Sequence, residues 1–170
     1  EFGSVDAIAT AKAELVRALP PHGIAVLNAD DPKVRAMASQ TTAAVVLAGE
    51  AEDAVVRAEA VRLDDRGRAS YTLRTPEGTA AVDLGVSGRH QAVNSVLAAA
   101  TARALGMPLD TLGPALRDAR LLSSRRMDVF DRADGVTVID DSYNANPDSA
   151  AAALHALTAI GRGRRRVAVL

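Results

Sequence analysis

The chain has 170 residues, 48% of them apolar, and its 20 Lys and Arg residues nearly balance its 21 Asp and Glu residues, for a formal net charge of -1. This composition predicts a soluble globular protein without a basic nucleic-acid-binding surface, and an aromatic content of 2% argues against a base-stacking groove. The absence of cysteine excludes disulfides and thiolate chemistry and favours a cytoplasmic location.

No segment of the sequence has the pattern of a membrane span or a signal peptide. The apolar runs fall short of the roughly 20 residues that cross a bilayer. Residues 1–6 carry neither the basic region nor the apolar region of a signal peptide. We therefore expect neither a membrane span nor export.

The first forty residues alternate between helix and strand. Apolar residues recur at helical spacing over residues 5–19, with Ser4 as a candidate N-cap. Residues 23–28 predict a short buried strand, and residues 32–39 predict a second helix that begins at a proline. This alternation predicts the α/β class.

From residue 43 the pattern changes to strands. Turns rich in Asp, Gly and Pro separate four strand-like runs, so the stretch is predicted to form an antiparallel meander. An Ala-rich helix over residues 92–105 and another helix over residues 108–119 follow. The strand-like runs are residues 43–47, 54–63, 69–73 and 80–86.

A domain boundary is predicted between residues 122 and 123, where the helical pattern stops. A new strand-helix-strand unit follows, and its last strand, residues 166–170, is expected to be buried in a parallel sheet. Because that strand reaches the final residue, we expect the chain to be part of a longer protein. The other elements predicted for this unit are strands at residues 128–130 and 135–140 and a helix at residues 148–160.

The most specific polar cluster spans residues 140–149, where a predicted strand runs into a helix. Acidic and amide side chains at the carboxyl end of a parallel strand lie where open α/β sheets bind ligands. A turn and a helix cap would account for residues 146–149. They would not require Asp141, Tyr143 and Asn144 as well.

Lys12 is one of only two lysines in the chain. Its spacing from Ile8 and Leu15 places it on the apolar face of its predicted helix, where burial would lower its pKa. The resulting neutral amine is the form that reacts with carbon dioxide. The alternative is a lysine that extends to the surface from the edge of the helix, and spacing alone favours that alternative.

Six segments carry the most specific sequence signals: Glu1-Phe2-Gly3-Ser4, Ala11-Lys12-Ala13-Glu14-Leu15, residues 25–31, residues 88–94, Arg126-Met127 and residues 140–149. Together they resemble the Mur ligase family of peptidoglycan synthesis over the whole chain. The resemblance is to the branch that joins D-Ala-D-Ala to UDP-MurNAc-tripeptide, because the diamino-acid-adding branch differs at the last segment.

The resemblance implies a domain organisation. Mur ligases consist of a UDP-binding N-terminal domain, a central ATPase domain and a Rossmann-like C-terminal domain. Residues 1–122 would form the C-terminal part of the central domain, in which helices accompany a mixed sheet with an antiparallel meander. Residues 123–170 would begin the C-terminal domain.

The resemblance also implies residue roles. Lys12 matches a lysine that is carbamylated in Mur ligases and helps to place Mg²⁺, and with this match the carbamate becomes the favoured interpretation. Asn94 matches the residue that binds adenine, whose N6 and N7 an Asn amide can pair with. His90 lies four residues earlier on the same helical face, where ligand contact and a bond to the backbone both stay open. Gln91 stands where related ligases often have Asn, which leaves its role open.

Further matches surround the nucleotide. Arg126 would approach the phosphates of ATP, and Asp141 would bind its ribose hydroxyls. Asn28, Asp30 and Asp31 either support the nucleotide pocket or cap a helix. Three residues match the loop that flanks the nucleotide and the incoming dipeptide: Tyr143, Asn144 and Asn146.

The function that the resemblance implies is ATP-dependent peptide ligation through an acyl phosphate, in a cytoplasmic and monomeric enzyme that uses ATP and Mg²⁺. The 170 residues contain no Gly-x-x-x-x-Gly-Lys-Ser/Thr phosphate loop, so we expect them to be inactive alone. The alternatives are another Mur ligase, a folylpolyglutamate synthase, or a non-catalytic nucleotide-binding module. A phosphate loop in upstream sequence would favour the enzyme.

Overall fold

The computed structural model describes residues 3–119 and 125–169. Residues 3–119 form a five-stranded mixed sheet with helices packed on it, and residues 125–169 form a two-stranded hairpin and a helix. The predicted α/β class with a mixed sheet is thereby confirmed. The predicted boundary between residues 122 and 123 lies outside the described residues.

Helices and strands follow one another in the predicted order through residue 160. The helices are α1 (Val5–Arg17), α2 (Pro32–Ala36), α3 (Gln91–Ala104), α4 (Leu109–Asp118) and α5 (Pro147–Ile160), with a 3-10 turn at Met37–Gln40. The strands are β1 (Ile24–Asn28), β2 (Ala44–Gly49), β3 (Val56–Leu63), β4 (Arg68–Thr75), β5 (Gly78–Ser87), β6 (Asp128–Asp131) and β7 (Thr137–Asp140). Within the described ranges, no helix combines the length and apolar character needed to cross a bilayer.

The sheet has the strand order β1-β2-β3-β4-β5. Strands β3, β4 and β5 form the predicted antiparallel meander, but the prediction is wrong for β2, which is parallel to both β1 and β3. The helical connection through α2 returns the chain to the starting end of β1, so β2 runs in the same direction as β1. The carboxyl ends of these strands therefore lie side by side, with Asn28 paired to Ala48.

Two apolar cores stabilise the sheet and its helices. In the larger core, α3 and α4 pack on the sheet around the buried residues Leu73, Val96 and Leu112. In the smaller core, Val16 of α1 packs with Leu27 of β1. Strand β1 contributes to both cores because alternate side chains of a strand point to opposite faces of a sheet.

The buried face of α1 differs from the predicted one. Ile8 and Leu15 are 42% and 70% exposed, whereas Ala13 and Val16 are buried. The prediction followed the larger apolar side chains. The buried residues Ala13 and Val16 instead pack in the smaller core with Leu27 and Met37.

The hairpin of residues 125–169 pairs β6 with β7 in antiparallel register, from Asp128 opposite Asp140 to Asp131 opposite Thr137. We expected β7 to lie in a parallel sheet beside a strand at residues 166–170. Among the described residues β7 pairs only with β6, and residues 166–169 form no strand, so this prediction is wrong for them. Val167 and Val169 are 66% and 94% exposed because no described strand lies beside them. Leu170 lies outside the described residues.

Candidate functional site

The carboxyl ends of the parallel strands β1 and β2 lie near the start of α3. Asn28 is the last residue of β1, and Glu50 follows the last residue of β2. His90 is the N-cap of α3, Asn94 lies on its first turn, and α3 contacts both strands. Open α/β sheets bind ligands at the carboxyl ends of their strands, so this edge is the candidate site.

Asp30 joins the ends of the two parallel strands. Its carboxylate accepts hydrogen bonds from the N–H groups of Glu50 at 2.9 Å and Ala51 at 2.8 Å. The Asn28 side chain in turn accepts the N–H of Asp30 at 2.9 Å. Gly49 permits this approach, because a Cβ there would lie 2.5 Å from an Asp30 carboxylate oxygen.

Asp31 has a separate role as the N-cap of α2. Its Oδ1 accepts the N–H groups of Lys33 at 2.8 Å and Val34 at 3.2 Å. The helix-cap alternative therefore holds for Asp31, whereas a role of Asn28 and Asp30 in a nucleotide pocket stays a prediction. Asp31 caps a helix, whereas Asn28 and Asp30 shape the loop beside the candidate site.

Arg89 and Glu50 form a two-bond ion pair in which Arg89 NH1 and NH2 each donate to a different Glu50 oxygen at 2.6 Å. Hydrogen bonding to Glu50 raises the pKa of Arg89, desolvation opposes this, and the charges of Glu50 and Asp30 add to the rise. Sequence reasoning missed Glu50 because its partner is 39 residues away and no local pattern links them. Arg89 lies in the segment of residues 88–94 that carries the family resemblance, but the resemblance assigns it no role.

His90 connects the sheet region with residues 125–169. It makes no side-chain capping hydrogen bond at the start of α3, which argues against the interpretation as a backbone cap. Part of its surface is exposed, yet desolvation by the surrounding protein lowers its pKa, and the negative charge of Asp141 opposes that decrease.

Asn94 presents an exposed side-chain amide beside His90. Its Nδ2 donates a hydrogen bond to Gln91 Oε1 at 3.1 Å. Its Oδ1 accepts no hydrogen bond from the described residues, and the second N–H of Nδ2 is also left for a ligand. Gln91, whose role was open, thus sets the orientation of the Asn94 amide.

Residues 125–127 and the loop after β7 are held together by hydrogen bonds. Asp141 Oδ1 accepts the N–H of Met127 at 2.9 Å, and the N–H of Tyr143 donates to the carbonyl of Arg125 at 3.0 Å. The Arg126 guanidinium lies 4.3 Å from the centre of the Tyr143 ring. Arg125 and Met127 have φ values of 62° and 51°, so Arg126 lies between two residues in the left-handed region that side chains rarely adopt.

The other predicted site residues are Lys12, Asn144 and Asn146. Lys12 is exposed on α1, which agrees with the surface alternative that spacing alone favours. Asn146 caps α5: its Oδ1 accepts the Ser149 N–H at 2.9 Å and its own N–H donates to Ser149 Oγ at 3.0 Å. Asn144 is exposed and extends from the loop that links Tyr143 to this cap.

The described residues do not gather a metal site. Within residues 3–119 and 125–169, no group of three or more His, Asp or Glu side chains is arranged to hold a metal ion. Because Lys12 is exposed on α1 outside any such group, the residues present do not fit Mg²⁺ on their own.

The sheet region and residues 125–169 also meet through a cavity of about 480 Å³. Leu63, Val93 and His90 line it on the sheet side, and His155 and Ala156 of α5 line it on the other. His90 lines this cavity, but Asn94 and Asp141 do not. The cavity therefore borders the candidate site at His90 and does not include its other side chains.

Comparison with known proteins assigns the family. The sequence profile of the Mur ligase middle domain matches residues 1–102, and that of the Mur ligase glutamate ligase domain matches residues 125–170. The chain therefore belongs to the Mur ligase family.

Three relatives carry the name of one branch of this family. UDP-N-acetylmuramoyl-tripeptide--D-alanyl-D-alanine ligases are 49% identical over 92% of this chain in Mycobacterium bovis and 42% identical over 96% in Mycobacterium leprae. The crystal structure of MurF from Acinetobacter baumannii superposes with a TM-score of 0.83 at 32% identity over 94% of this chain. The chain spans about a third of the length of these relatives, 31%, 34% and 34% respectively.

Proposed function

We propose that this chain is part of a ligase that uses ATP to join D-Ala-D-Ala to UDP-MurNAc-tripeptide in peptidoglycan synthesis. The observation that carries the proposal is the 49% identity of this chain, over 92% of its length, to a ligase of that name. The exposed Asn94 amide, whose Oδ1 accepts no hydrogen bond from the described residues, supports it. Since the chain covers 31% of such a ligase, the reaction belongs to a longer protein. Residues 1–122 supply the end of its central domain and residues 123–170 the start of its C-terminal domain.

The proposed reaction has two steps. The terminal carboxylate of the tripeptide attacks the γ-phosphorus of ATP, ADP leaves, and an acyl phosphate forms. The amine of D-Ala-D-Ala then attacks the acyl carbon, inorganic phosphate leaves, and the nitrogen loses a proton to give the amide. Negative charges crowd together in the first step, so positioning and neutralisation of charge supply most of the catalysis.

The described residues fit a nucleotide. Asn94 offers a free carbonyl oxygen and an N–H, the pair of groups that matches N6 and N7 of adenine. Asp141 uses one carboxylate oxygen on Met127, which leaves the other for a ribose hydroxyl. Arg126, held against Tyr143, provides a cation for phosphate oxygens. Asn144 lies on the same loop and would contact the nucleotide or the dipeptide.

Magnesium is part of the proposal only through the resemblance of the chain to Mur ligases. No catalytic step is derived through it, because the described residues do not form its site. The carbamate of Lys12 rests on the match of residues 11–15 alone. In a longer protein, Lys12→Ala would then lose activity that short-chain carboxylates partly restore and bicarbonate does not, whereas unchanged activity would end this assignment.

The ligase is further proposed to be a cytoplasmic monomer. The 170 residues contain no phosphate-loop motif, so we propose that they do not complete the reaction without the rest of the protein. Size-exclusion chromatography with light scattering tests the monomer. An ATP hydrolysis assay on the 170-residue chain tests whether the reaction needs the rest of the protein.

Substrate competition in the longer protein tests the proposed reaction. The purified protein is incubated with ATP, one acceptor at a time (UDP-MurNAc-tripeptide or a shorter UDP-MurNAc acceptor) and one amine at a time: D-Ala-D-Ala, L-Ala or a diamino acid. We expect a product only with D-Ala-D-Ala, with one phosphate released for each amide bond. A product with another amine and a shorter UDP-MurNAc acceptor would assign the chain to another branch, and nucleotide binding without any product would favour a non-catalytic module.

A further inference from the structure

Three side chains from distant parts of the sequence form a connected unit beside α3: Asp30, Glu50 and Arg89. We call this unit the carboxyl-end clamp. Asp30 holds the backbone of Glu50 through an N–H hydrogen bond of 2.9 Å, and the Glu50 carboxylate receives both Arg89 hydrogen bonds at 2.6 Å. The clamp thus links the end of β1, the loop after β2 and the residue before the N-cap of α3.

The backbone of Arg89 is part of the first turn of α3. The Arg89 carbonyl accepts the N–H of Ala92 at 3.2 Å, and the carbonyl of His90 accepts the N–H of Asn94 at 3.2 Å. A displacement of Arg89 is therefore transmitted to the turn that carries the Asn94 amide. Misplacement of a binding group by about 1 Å can change a rate by about 100-fold.

The fold of α3 does not depend on the clamp. Ala92, Val96 and Ala100 of α3 are fully buried, and Tyr71 of β4 forms a 2.6 Å hydrogen bond with Ser95 inside the core. The Arg89 and Glu50 side chains are 50% and 29% exposed, and ion pairs of that exposure add little to the stability of a fold. The contribution of the clamp is the position of the helix start.

We propose that the carboxyl-end clamp positions the Asn94 amide and thereby determines how strongly the site prefers adenine over guanine. Arg89, Glu50 and Asp30 act as positioning residues and do not touch the nucleotide. The inference rests on the proposed function in taking a purine nucleoside triphosphate as the ligand.

The test measures the dissociation constants of ATP and GTP by calorimetry, and kcat/KM for both, in the longer protein that contains this chain. Arg89→Ala removes the two hydrogen bonds and the charge, while Arg89→Lys keeps the charge but not the two-bond geometry. Arg103→Ala is the matched control, because Arg103 forms a similar pair with Glu77 at the other end of α3, about 20 Å away.

We expect Arg89→Ala to lower the preference for ATP over GTP about tenfold, with Arg89→Lys intermediate and Arg103→Ala unchanged. The two alanine variants should show similar thermal midpoints, which separates positioning from loss of stability. Wild-type preference in Arg89→Ala, or an equal loss in Arg103→Ala, would overturn the inference.

Failure of the proposed function gives a different pattern. A wild-type protein that prefers ATP but makes no amide with D-Ala-D-Ala would contradict the proposed reaction, and the preference measured in Arg89→Ala would still decide the role of the clamp. A wild-type protein that binds neither nucleotide would overturn both.

Discussion

Asn94 and Gln91 illustrate how a single side-chain contact defines a binding group. An exposed Asn amide rotates freely unless one of its ends is engaged. In this chain Gln91 accepts a hydrogen bond from Asn94 Nδ2. This bond fixes which side of the amide carries Oδ1. Adenine requires one acceptor and one donor in a set order, so under the proposed function the orientation of this amide would contribute to base recognition.

Replacement of Gln91 tests this orientation. Gln91→Glu keeps an acceptor for Asn94, whereas Gln91→Met keeps the length of the side chain and removes the acceptor. We expect Gln91→Met to lower the ratio of ATP to GTP affinity about threefold to fivefold, the effect of one neutral hydrogen bond, and Gln91→Glu to preserve the ratio. Calorimetric titration with both nucleotides measures the ratio of ATP to GTP affinity. Equal ratios in the two variants would contradict the role of Gln91.

Asp141 has an electrostatic effect that can be read on His90. Its negative charge raises the pKa of His90 against the larger decrease caused by desolvation. We therefore expect Asp141→Asn to lower the pKa of His90 further, as followed by NMR titration of the imidazole C2 proton. Because the pKa of folded His90 lies below its unfolded value of about 6.5, its protonation disfavours the folded state as the pH falls below that value. An unchanged His90 pKa in Asp141→Asn would show that the two residues do not interact.

At the scale of elements, the parallel pair β1 and β2 decides where the site forms. Their carboxyl ends lie together only because α2 carries the chain back across the sheet between them. Gly49 and Asp30 then close the gap between the two strand ends, since the Asp30 carboxylate occupies the space of a Cβ at residue 49. The start of α3 is held to this edge through Glu50 and Arg89.

Gly49→Ala tests this close approach. The added Cβ would displace the Asp30 carboxylate and break its hydrogen bonds to the N–H groups of Glu50 and Ala51. We expect a loss of about 1–3 kcal/mol in the free energy of unfolding, measured by denaturant titration. The same change in an Asp30→Ala background should cost clearly less, because the clash is gone. An equal cost in both backgrounds would place the strain elsewhere.

At the scale of the whole molecule, residues 125–169 meet the sheet region at few points. Arg66 in the turn between β3 and β4 forms an ion pair with Asp131 at the end of β6, and Ile160 of α5 lies close to Gly67. Arg126 and Asp141 belong to the part of the chain that this junction joins to the sheet region. Under the proposed function, the junction would therefore support the nucleotide site without being part of it.

Arg66→Ala should weaken ATP binding through the junction. We expect KM for ATP to rise about twofold to fivefold, in line with the small contribution of an exposed ion pair. Arg132→Ala is the control, because Arg132 pairs with Asp134 within the hairpin turn and forms no ion pair with any other described residue. The same change in KM for both variants would show that the Arg66 pair does not support the site.

The sequence predicted most elements because helical spacing, caps and turns are local. Ser4 caps α1 as expected, and the antiparallel pairing of β3, β4 and β5 follows from the turn residues between them. Asn146, predicted as a substrate contact, instead caps α5, the alternative that a helix start would explain. The direction of β2 was missed because parallel pairing depends on the path of the chain between strands. Lys12 is exposed because Ala13 and Val16 form the buried face of α1, whereas Ile8 and Leu15 beside Lys12 are exposed.

The candidate site was predicted only where residues match a motif. Asn94, Asp141 and Arg126 could be named from the sequence, but the contacts that orient them could not. The pairing of Glu50 with Arg89 and the hydrogen bond from Met127 to Asp141 join residues 39 and 14 positions apart. Such contacts are set by tertiary packing and leave no periodic signal.

The measurement that tests the account most directly is kcat/KM for ATP in the ligation of D-Ala-D-Ala, compared between Asn94→Ala and Thr101→Ala in the longer protein. Thr101 is exposed on the same helix two turns later and bonds only the Leu97 carbonyl through its hydroxyl. We predict a decrease of about 10-fold to 100-fold for Asn94→Ala and none for Thr101→Ala. Equal rates in the two variants would contradict the assignment of this edge of the sheet as the nucleotide site.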